Sequence, residues 1–397
     1  MTPSFAHFDG PRPMRRDEQI ASERLSRLCF GEPEIENEAE MLAGYAPPRQ
    51  GGTFLITHEG RPVSQIDTFH GRIKMYDGCI RAGSIGGVCT HPEYRGRGLA
   101  SRLLEYSAQQ LANEGAGLLL ISGARSIYTR RGNVPHGRFI NFSILPAPAG
   151  PRRLTPADLV IRKATPADAL ICNKLYQAEP VHFVRQRSDF SAALKDPSRN
   201  TYVFADQWII ERSGQAMAYL FLGSPWSAEL GAGIRHVGEY AGSRLSLVEA
   251  LDLIVTAGNV RELTWQIAWQ DVELIHLMQD EGFKGAVTSL RGHTLRIMNF
   301  PGLMKDLRPI LRARLDANLL RGLRFEQSGP PLGGNGTDRY AIVRGSERLE
   351  LDGAEMTRLV MGSPDGPAEA ISPSGALAEV ISALFPLPSF LTGLNYH

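Results

Sequence analysis

The chain has 397 residues, of which 43% are hydrophobic, and 43 basic against 42 acidic side chains leave a net charge of +1. This length predicts two or three domains, and the near-zero charge argues against nucleic acid or an anionic membrane as a partner. No apolar run is long enough to span a bilayer, residues 1–16 lack the apolar centre of a signal peptide, and the four cysteines show neither paired nor metal-ligand spacing. We therefore expect a cytoplasmic protein that needs no metal.

The first segment, residues 1–150, ends in a proline-rich stretch that begins at Pro146. Its hydrophobic spacing predicts alternating elements. These are a helix over 17–28, strands over 53–57, 63–74 and 79–90, a helix from 99 to about 114, a strand over 118–123, a short helix, and a strand over 138–145. Such an order fits a mixed sheet with helices on both sides.

Residues 88–100, Val-Cys-Thr-His-Pro-Glu-Tyr-Arg-Gly-Arg-Gly-Leu-Ala, carry the most specific pattern in the chain. A strand runs into a glycine-rich turn that opens a helix. The first N–H groups of such a helix are unpaired and lie at the positive end of its dipole, and glycine lets a phosphate approach the backbone closely. The pattern predicts a pyrophosphate cradle, with Arg95 or Arg97 pairing the phosphates. The alternative is an ordinary corner in which Gly98 satisfies a backbone angle.

Glycine spacing distinguishes this cradle from other phosphate-binding loops. Neither Gly-x-x-x-x-Gly-Lys-Ser/Thr nor Gly-x-Gly-x-x-Gly occurs here, so a nucleotide-hydrolysing loop and a dinucleotide fold are not indicated. Residues 95–100 instead follow Arg-x-x-Gly-x-Ala, and together with Pro92 and Tyr94 they resemble the coenzyme A signature of GCN5-related N-acetyltransferases (GNAT). The resemblance implies acetyl-CoA as cosubstrate, with its pantetheine arm paired against the strand end. The implied cofactor-binding residues are Val88, Cys89, Thr90, Arg95, Gly96, Arg97, Gly98, Leu99, Ala100 and Ser101.

After the strand at 118–123, the family has a short helix with the pattern Phe-Tyr-x-x-x-Gly-Phe. Here Ile127, Tyr128 and Gly132 fit that frame, and Asn133 replaces the second aromatic residue. The resemblance implies that the Tyr128 hydroxyl lies near the thioester sulfur and protonates the departing thiolate. The alternative is a packed tyrosine whose hydroxyl is satisfied within the protein.

Other side chains near the signature are weaker candidates. Cys89 lies inside the strand without an adjacent histidine, so it is better explained as a small packed residue than as a nucleophile. His91 is better explained as a turn residue than as a base. The acids Asp67, Asp77 and Glu93 are candidates for binding the amine, and the sequence does not rank them.

The middle segment, residues 151–299, resembles a second GNAT fold that has lost its cofactor site. A strand over 159–163, a hairpin of 202–205 with 208–211, a strand over 265–267 and a helix over 274–282 follow the order of the first segment. At the cradle position, 236–245, the arginines are missing and Glu239 would repel phosphate. An unrelated α/β domain is the alternative.

The last segment, residues 300–397, begins with an amphipathic pattern that predicts one helix over 303–320. Strands are predicted over 323–326, 339–344 and 349–352, and helices over 353–361 and 375–384. Three units in this order resemble the enhanced intracellular survival (Eis) type of acetyltransferase. The resemblance implies a C-terminal domain like sterol carrier protein (SCP2) and a closed homo-oligomer, often a hexamer. It also implies that the terminal carboxylate, here on His397, enters the active site and helps accept the amine proton. A frayed terminus is the alternative.

Together these features predict a tandem-GNAT α/β enzyme with an SCP2-like C-terminal domain. It would transfer an acetyl group from acetyl-CoA directly to a primary amine on an aminoglycoside, a polyamine or a lysine-containing acceptor. Two alternatives are a non-catalytic acyl-CoA sensor or scaffold, and an acyltransferase that uses a longer acyl chain. Dependence of turnover on Tyr128 distinguishes the enzyme from the sensor.

Overall fold

The computed structural model describes residues 8–44, 51–146, 156–195, 206–223, 233–329, 338–365 and 375–395. In this part of the chain, two large sheets and one small sheet pack against helices. The predicted mixed α/β class is confirmed. None of the helices described is long and apolar enough to cross a membrane.

The strands and helices follow one another along the whole chain. The strands are β1 (Phe8–Pro13), β2 (Gly51–His58), β3 (Arg61–Met75), β4 (Gly78–Thr90), β5 (Leu118–Ser122), β6 (Val134–Pro135), β7 (Phe139–Ile144), β8 (Leu159–Lys163), β9 (Val181–Phe183), β10 (Asp206–Arg212), β11 (Gln215–Gly223), β12 (Ile234–Gly242), β13 (Glu262–Ala268), β14 (Gly285–Thr288), β15 (His293–Ile297), β16 (Leu323–Ser328), β17 (Arg339–Arg344) and β18 (Glu347–Asp352). The helices are α1 (Gln19–Phe30), α2 (Glu38–Gly44), α3 (Leu99–Asn113), α4 (Ser126–Thr129), α5 (Ala169–Gln177), α6 (Arg187–Lys195), α7 (Arg244–Glu249), α8 (Leu251–Ala257), α9 (Val272–Asp280), α10 (Phe300–Asp306), α11 (Arg308–Arg314), α12 (Ala317–Leu320), α13 (Gly353–Met361) and α14 (Gly375–Leu384).

The first sheet has the strand order β1-β2-β3-β4-β5-β15-β6, with β9 attached to β3. β3 and β4 form a long antiparallel hairpin, and β5 runs parallel to β4. Residues 118–121 of β5 are buried on both faces, as expected for a central parallel strand. This arrangement places the carboxyl ends of β4 and β5 at the same edge of the sheet.

The first two segments exchange strands. β7, expected to complete the first sheet, pairs instead with β13 and β14 in the second sheet, in the register Phe139↔Ala268. β15 takes the equivalent place in the first sheet, between β5 and β6. Both strands mix apolar and polar residues that either sheet could accommodate, so their local patterns do not specify a partner. Each segment therefore contributes a strand to the sheet of the other.

α3 follows β4 and covers one face of the first sheet. Leucines at 99, 103, 104 and 111 lie on the buried face of this helix and pack against Ile85 and Ile121 of the sheet. The helix begins after Gly98, which has φ +78°, and the turn that follows it includes Gly115 at φ +84°. Burial of α3 against the sheet fixes the direction of the helix, so that its first turn points toward the end of β4.

The second sheet has the strand order β14-β7-β13-β12-β11-β10-β8. β10 forms its hairpin with β11 through Ser213 and Gly214, both at positive φ, as tight two-residue turns require. The predicted hairpin partner at 202–205 lies outside the described residues.

The last segment forms the three-stranded antiparallel sheet β16-β17-β18 with helices around it. The predicted helix over 303–320 is wrong: the chain forms α10, α11 and α12 instead. Pro309 lies in the first turn of α11, and the Asp316 carboxylate caps α12 by accepting the Leu319 N–H at 2.8 Å. The likeness of this segment to SCP2 stays a prediction.

Candidate active site

The turn between β4 and α3 presents unpaired backbone N–H groups to solvent. Gly96 and Gly98 have φ values of +76° and +78°, and no side chain caps the first turn of α3. In the described part of the chain, the N–H groups of Gly96, Arg97 and Gly98 donate no hydrogen bond. No atom lies within 4 Å of where a Cβ on Gly96 would be. This open cradle of amides fits a phosphate group.

Two guanidinium groups flank this cradle. Arg95 donates from Nε to the carbonyl of Thr90 at 3.1 Å, and Arg97 donates from Nη2 to the carbonyl of Glu93 at 3.2 Å. The Arg97 guanidinium also lies 5.0 Å from the centre of the Tyr94 ring. Both arginines are exposed. Because a guanidinium carries five N–H donors, each retains donors for an anion.

β4 and β5 diverge just before the cradle. Their parallel pairing ends at Ile85 and Ile121, whereas β4 stays paired with β3 as far as Thr90. The β5-facing edge of residues 86–90 therefore has no strand partner among the described residues. Such an edge can pair with an extended ligand as an added strand would. The predicted contact residues Val88, Cys89 and Thr90 lie on this edge.

Asp67 lies where the β3–β4 pairing is irregular, between the pairs Gln65↔Cys89 and Asp67↔Gly86. Its carboxylate accepts a hydrogen bond from the Thr53 hydroxyl at 2.6 Å. A Cβ on the neighbouring Gly87, at φ +57°, would overlap this carboxylate, so the backbone approaches it closely. Loss of hydration raises the pKa of Asp67 to about 6. The group therefore titrates near neutral pH beside the diverging strands, which suits a general base.

The structure separates the three acids that the sequence left unranked. Asp77 lies in the turn of the β3–β4 hairpin, twelve positions before Cys89, which is roughly 40 Å along an extended strand. Glu93 is exposed in the turn before the cradle. Among these acids, Asp67 is the one at the divergence of β4 and β5. The sequence analysis did not find its partner Thr53, although four polar residues among 64–68, in a predicted strand, were a signal of polar contacts there.

Tyr128 lies in the short helix α4 that follows β5. It is 4% exposed and packs with the core formed by α3 and the first sheet. Its ring lies against Gly123, where a Cβ would come within 3.4 Å of Cε2. Gly123, at φ +111°, donates its N–H to the carbonyl of Gly292 at 2.7 Å. The end of β5 and the loop before β15 therefore set the position of Tyr128.

Cys89 and His91 have the surroundings of structural residues. Cys89 is buried, and its contact with Cys29 together with its burial raises the pKa of the thiol, which keeps it protonated. The Nδ1 atom of His91 accepts the N–H of Glu93 at 3.3 Å and caps the turn. These contacts support the interpretation of both residues as parts of the scaffold.

The equivalent corner of the second sheet, between β12 and α7, is filled by the protein's own side chains. The Ser243 hydroxyl caps α7 by accepting the Ser246 N–H at 3.2 Å. Arg244 lies 2.6 Å from Glu179 and 2.9 Å from Asp271. The described residues therefore leave no open cradle at this corner, and the absence of a cofactor site from the second fold stays a prediction. Within the described ranges, no group of three or more His, Cys, Asp or Glu side chains is placed to hold a metal.

Comparison with known proteins identifies the first segment. A family model described as an acetyltransferase (GNAT) domain matches residues 11–133, which include the cradle and Tyr128. The chain therefore carries a GNAT acetyltransferase domain and is an acyltransferase. GNAT domains use acetyl-CoA, and the open cradle at residues 96–98 fits its pyrophosphate.

Solved structures share the fold over nearly the whole chain. A probable N-acyltransferase from Enterococcus faecalis superimposes with a TM-score of 0.65 at 14% identity, covering 95% of this chain and 97% of that one. A GCN5-related N-acetyltransferase from Kribbella flavida gives 0.61 at 15% identity, with 97% and 98% covered. Eis1 from Mycobacterium abscessus gives 0.60 at 13% identity, with 96% and 98% covered. The chain thus shares the fold of these proteins over nearly its whole length. No curated protein matches it.

Proposed function

We propose that this enzyme transfers an acetyl group from acetyl-CoA to a primary amine without an acyl-enzyme intermediate. The observation that carries the proposal is the position of Asp67, a carboxyl group with its pKa near 6, which pairs with Gly86 of β4 just beyond the point where β4 and β5 diverge. Acetyl-CoA supplies an activated carbonyl and a thiolate leaving group. Both the direct transfer and the class of acceptor go beyond what the family match shows.

Different residues of the first segment bind different parts of acetyl-CoA. The N–H groups of residues 96–101 hold the pyrophosphate, and Arg95 and Arg97 add charged donors from either side. The free edge of Val88, Cys89 and Thr90 holds the pantetheine arm, and one of its N–H groups donates to the carbonyl oxygen as negative charge develops there.

The proton transfers complete the reaction. Asp67 first accepts a proton from the substrate ammonium, directly or through a water molecule, and the neutral amine then forms the new bond to the carbonyl carbon as the bond to sulfur breaks. Tyr128 donates its phenolic proton to the leaving sulfur, and the second proton that the nitrogen loses as the amide forms restores the phenol. The Eis resemblance offers the carboxylate of His397 as a second acceptor of the amine proton, although His397 lies outside the described residues. We propose a polyamine, an aminoglycoside or a lysine side chain as the acceptor.

The test of this function is release of coenzyme A thiol from acetyl-CoA in the presence of a panel of polyamines, aminoglycosides and lysine peptides. We expect at least one amine to drive thiol release and to gain 42 Da, the mass change when an acetyl group replaces a hydrogen atom. The same compounds with every amine already acetylated serve as controls and should stay unchanged. Binding of acetyl-CoA without turnover on any amine would support the sensor or scaffold instead.

Replacing Asp67 by asparagine tests the proposed base. Because Asp67 accepts a proton only when ionised, we expect kcat/KM of the wild type to rise with pH through about 6 and then level off. Asp67→Asn should remove this rise and lower turnover by about a hundredfold. Asp77→Asn, at the far end of the same hairpin, is the matched control and should behave as wild type. A pH–rate profile unchanged in Asp67→Asn would exclude this residue as the base.

A further inference from the structure

A buried ion pair between Arg185 and Glu239 holds the C-terminal segment of the chain. Arg185 follows β9, and Glu239 lies in the middle of β12. Their side chains are each 2% exposed and form two parallel hydrogen bonds of 2.8 Å. The Tyr219 hydroxyl donates to Glu239 Oε1 at 2.8 Å, and the Leu394 N–H donates to Oε2 at 2.9 Å. Glu239 thus accepts one hydrogen bond from the backbone of the C-terminal segment, residues 389–394, which we call the tail.

The tail packs against the Glu239 carboxylate at Gly393. Gly393 has φ +52°, and a Cβ there would overlap the Glu239 carboxylate. Arg185 also donates to the Thr392 carbonyl at 3.5 Å. A glycine is therefore required at 393, both by its backbone angle and by the carboxylate that lies against it.

Upstream contacts fix the rest of this segment. Gln270, just after β13, donates to the Ser389 carbonyl at 2.6 Å and accepts the Ser389 N–H at 3.1 Å. The buried His136 contacts the Phe390 carbonyl through Nε2 at 3.1 Å, and burial lowers the pKa of His136 to about 3. The imidazole is therefore neutral near pH 7, and its Nε2 carries the proton that it donates.

These contacts place the tail where β12 and β13 diverge. The two strands pair in parallel only from Ile234 to His236, just as β4 and β5 pair only as far as Ile85 in the first sheet. Residues 389–394 run from the end of β13, at Gln270, to Glu239 in β12. In the second fold the tail thus occupies the place where the first fold has a free strand edge.

The same segment also touches the first sheet beside the active site. The Thr392 hydroxyl lies 3.4 Å from His293 Nε2, at the beginning of β15. His293 pairs with Ser122 at the end of β5, and the next residue, Gly123, supports the Tyr128 ring. A chain of direct contacts therefore joins Glu239 in the second fold to the helix that carries Tyr128.

We propose that the second acetyltransferase-like fold is a receptor for the protein's own tail, with residues 389–394 as its ligand. Glu239 and Arg185 are then positioning residues for the active site of the first fold. This role rests on the proposed acetyl transfer. Fixing the tail at Gly393 and Leu394 places Thr392 against His293 and so supports the pairing of β15 with β5. The acidic residue that would repel phosphate from a cofactor is the one that binds the tail.

Gly393→Ala is the primary test, because its Cβ would overlap the Glu239 carboxylate and displace the tail, while neither Arg185 nor Glu239 is substituted. Glu239→Gln is the second variant; it leaves Arg185 buried beside a neutral amide and is costly for folding. Gly345→Ala is the matched control, since Gly345 has φ +59° but no atom lies within 4 Å of its Cβ position. Each full-length variant is compared by hydrogen exchange of the peptide covering 387–397, by calorimetric titration with acetyl-CoA, and by amine kinetics.

We expect exchange in this peptide to become about tenfold faster in Gly393→Ala, and kcat to fall about tenfold, because misplacement by about 1 Å lowers rates strongly. The Kd for acetyl-CoA should stay within about twofold, since the cradle is untouched. Gly345→Ala should change none of these. Unchanged exchange in Gly393→Ala would overturn the receptor, and faster exchange with unchanged kcat would overturn the positioning role. If the wild type acetylates no amine, the proposed function fails, while the exchange result still decides whether the second fold holds the tail.

Discussion

Replacing Gly98 by glutamate is expected to abolish acetyl-CoA binding while the protein stays folded. Gly98 precedes α3 at φ +78°, so any side chain here costs about 1–2 kcal/mol of backbone strain. The larger effect is electrostatic, because a carboxylate about 4 Å from a phosphate costs about 4 kcal/mol at an effective dielectric constant of 20. Calorimetric titration with acetyl-CoA should show an affinity lower by at least about a hundredfold.

Two variants separate the charge from the strain. Gly98→Ala introduces the strained backbone without the carboxylate, and it should weaken binding by about tenfold or less. Gly282→Glu adds a carboxylate at φ +83° in an exposed turn of the second fold, where no atom lies within 4 Å of the Cβ position. It should bind acetyl-CoA as wild type does. Wild-type affinity in Gly98→Glu would show that the pyrophosphate binds elsewhere.

The cradle could be predicted from the sequence because its determinants are local. Residues 88–100 contain the end of a strand, two glycines for positive φ, and the first apolar positions of α3. Each of these acts on the backbone within a few residues, so the pattern and the structure coincide.

The exchange of β7 and β15 could not be predicted, because the residues of a strand do not by themselves determine which sheet the strand joins. Phe139 and Ile144 fit the second sheet, and Leu295 and Ile297 fit the first, through contacts more than one hundred residues away in the sequence. The same limit applies to the acids. Only the fold shows that Asp67 lies beside the divergence of β4 and β5 while Asp77 lies in the distant turn of the same hairpin.

The long helix expected after residue 300 shows a different limit. Leu307, Ile310 and Leu311 are buried as the amphipathic pattern predicts. The chain nevertheless forms three separate helices, because Pro309 lies in the first turn of α11 and Asp316 caps α12. Hydrophobic spacing identified the buried face. The helix boundaries depend on one proline and one capping carboxylate, which hydrophobic spacing does not take into account.

Replacing Tyr128 by phenylalanine distinguishes catalysis from packing at the second predicted site. The ring is 4% exposed and rests against Gly123, so phenylalanine can occupy the same space. If the hydroxyl protonates the leaving sulfur, its loss should lower kcat by about a hundredfold and leave the Kd for acetyl-CoA nearly unchanged. Stopped-flow or steady-state thiol release with a saturating amine measures the first quantity, and calorimetry the second.

Tyr340→Phe provides the matched control, because Tyr340 is also a buried tyrosine but lies in the last segment. Its hydroxyl bonds to the Ile297 carbonyl and to Asp338, each at 2.9 Å. Its removal should lower the Tm, since buried hydrogen bonds are lost, and leave kcat unchanged. If Tyr128→Phe instead lowers only the Tm, the phenol is a packing residue. Another proton donor must then serve the leaving thiolate.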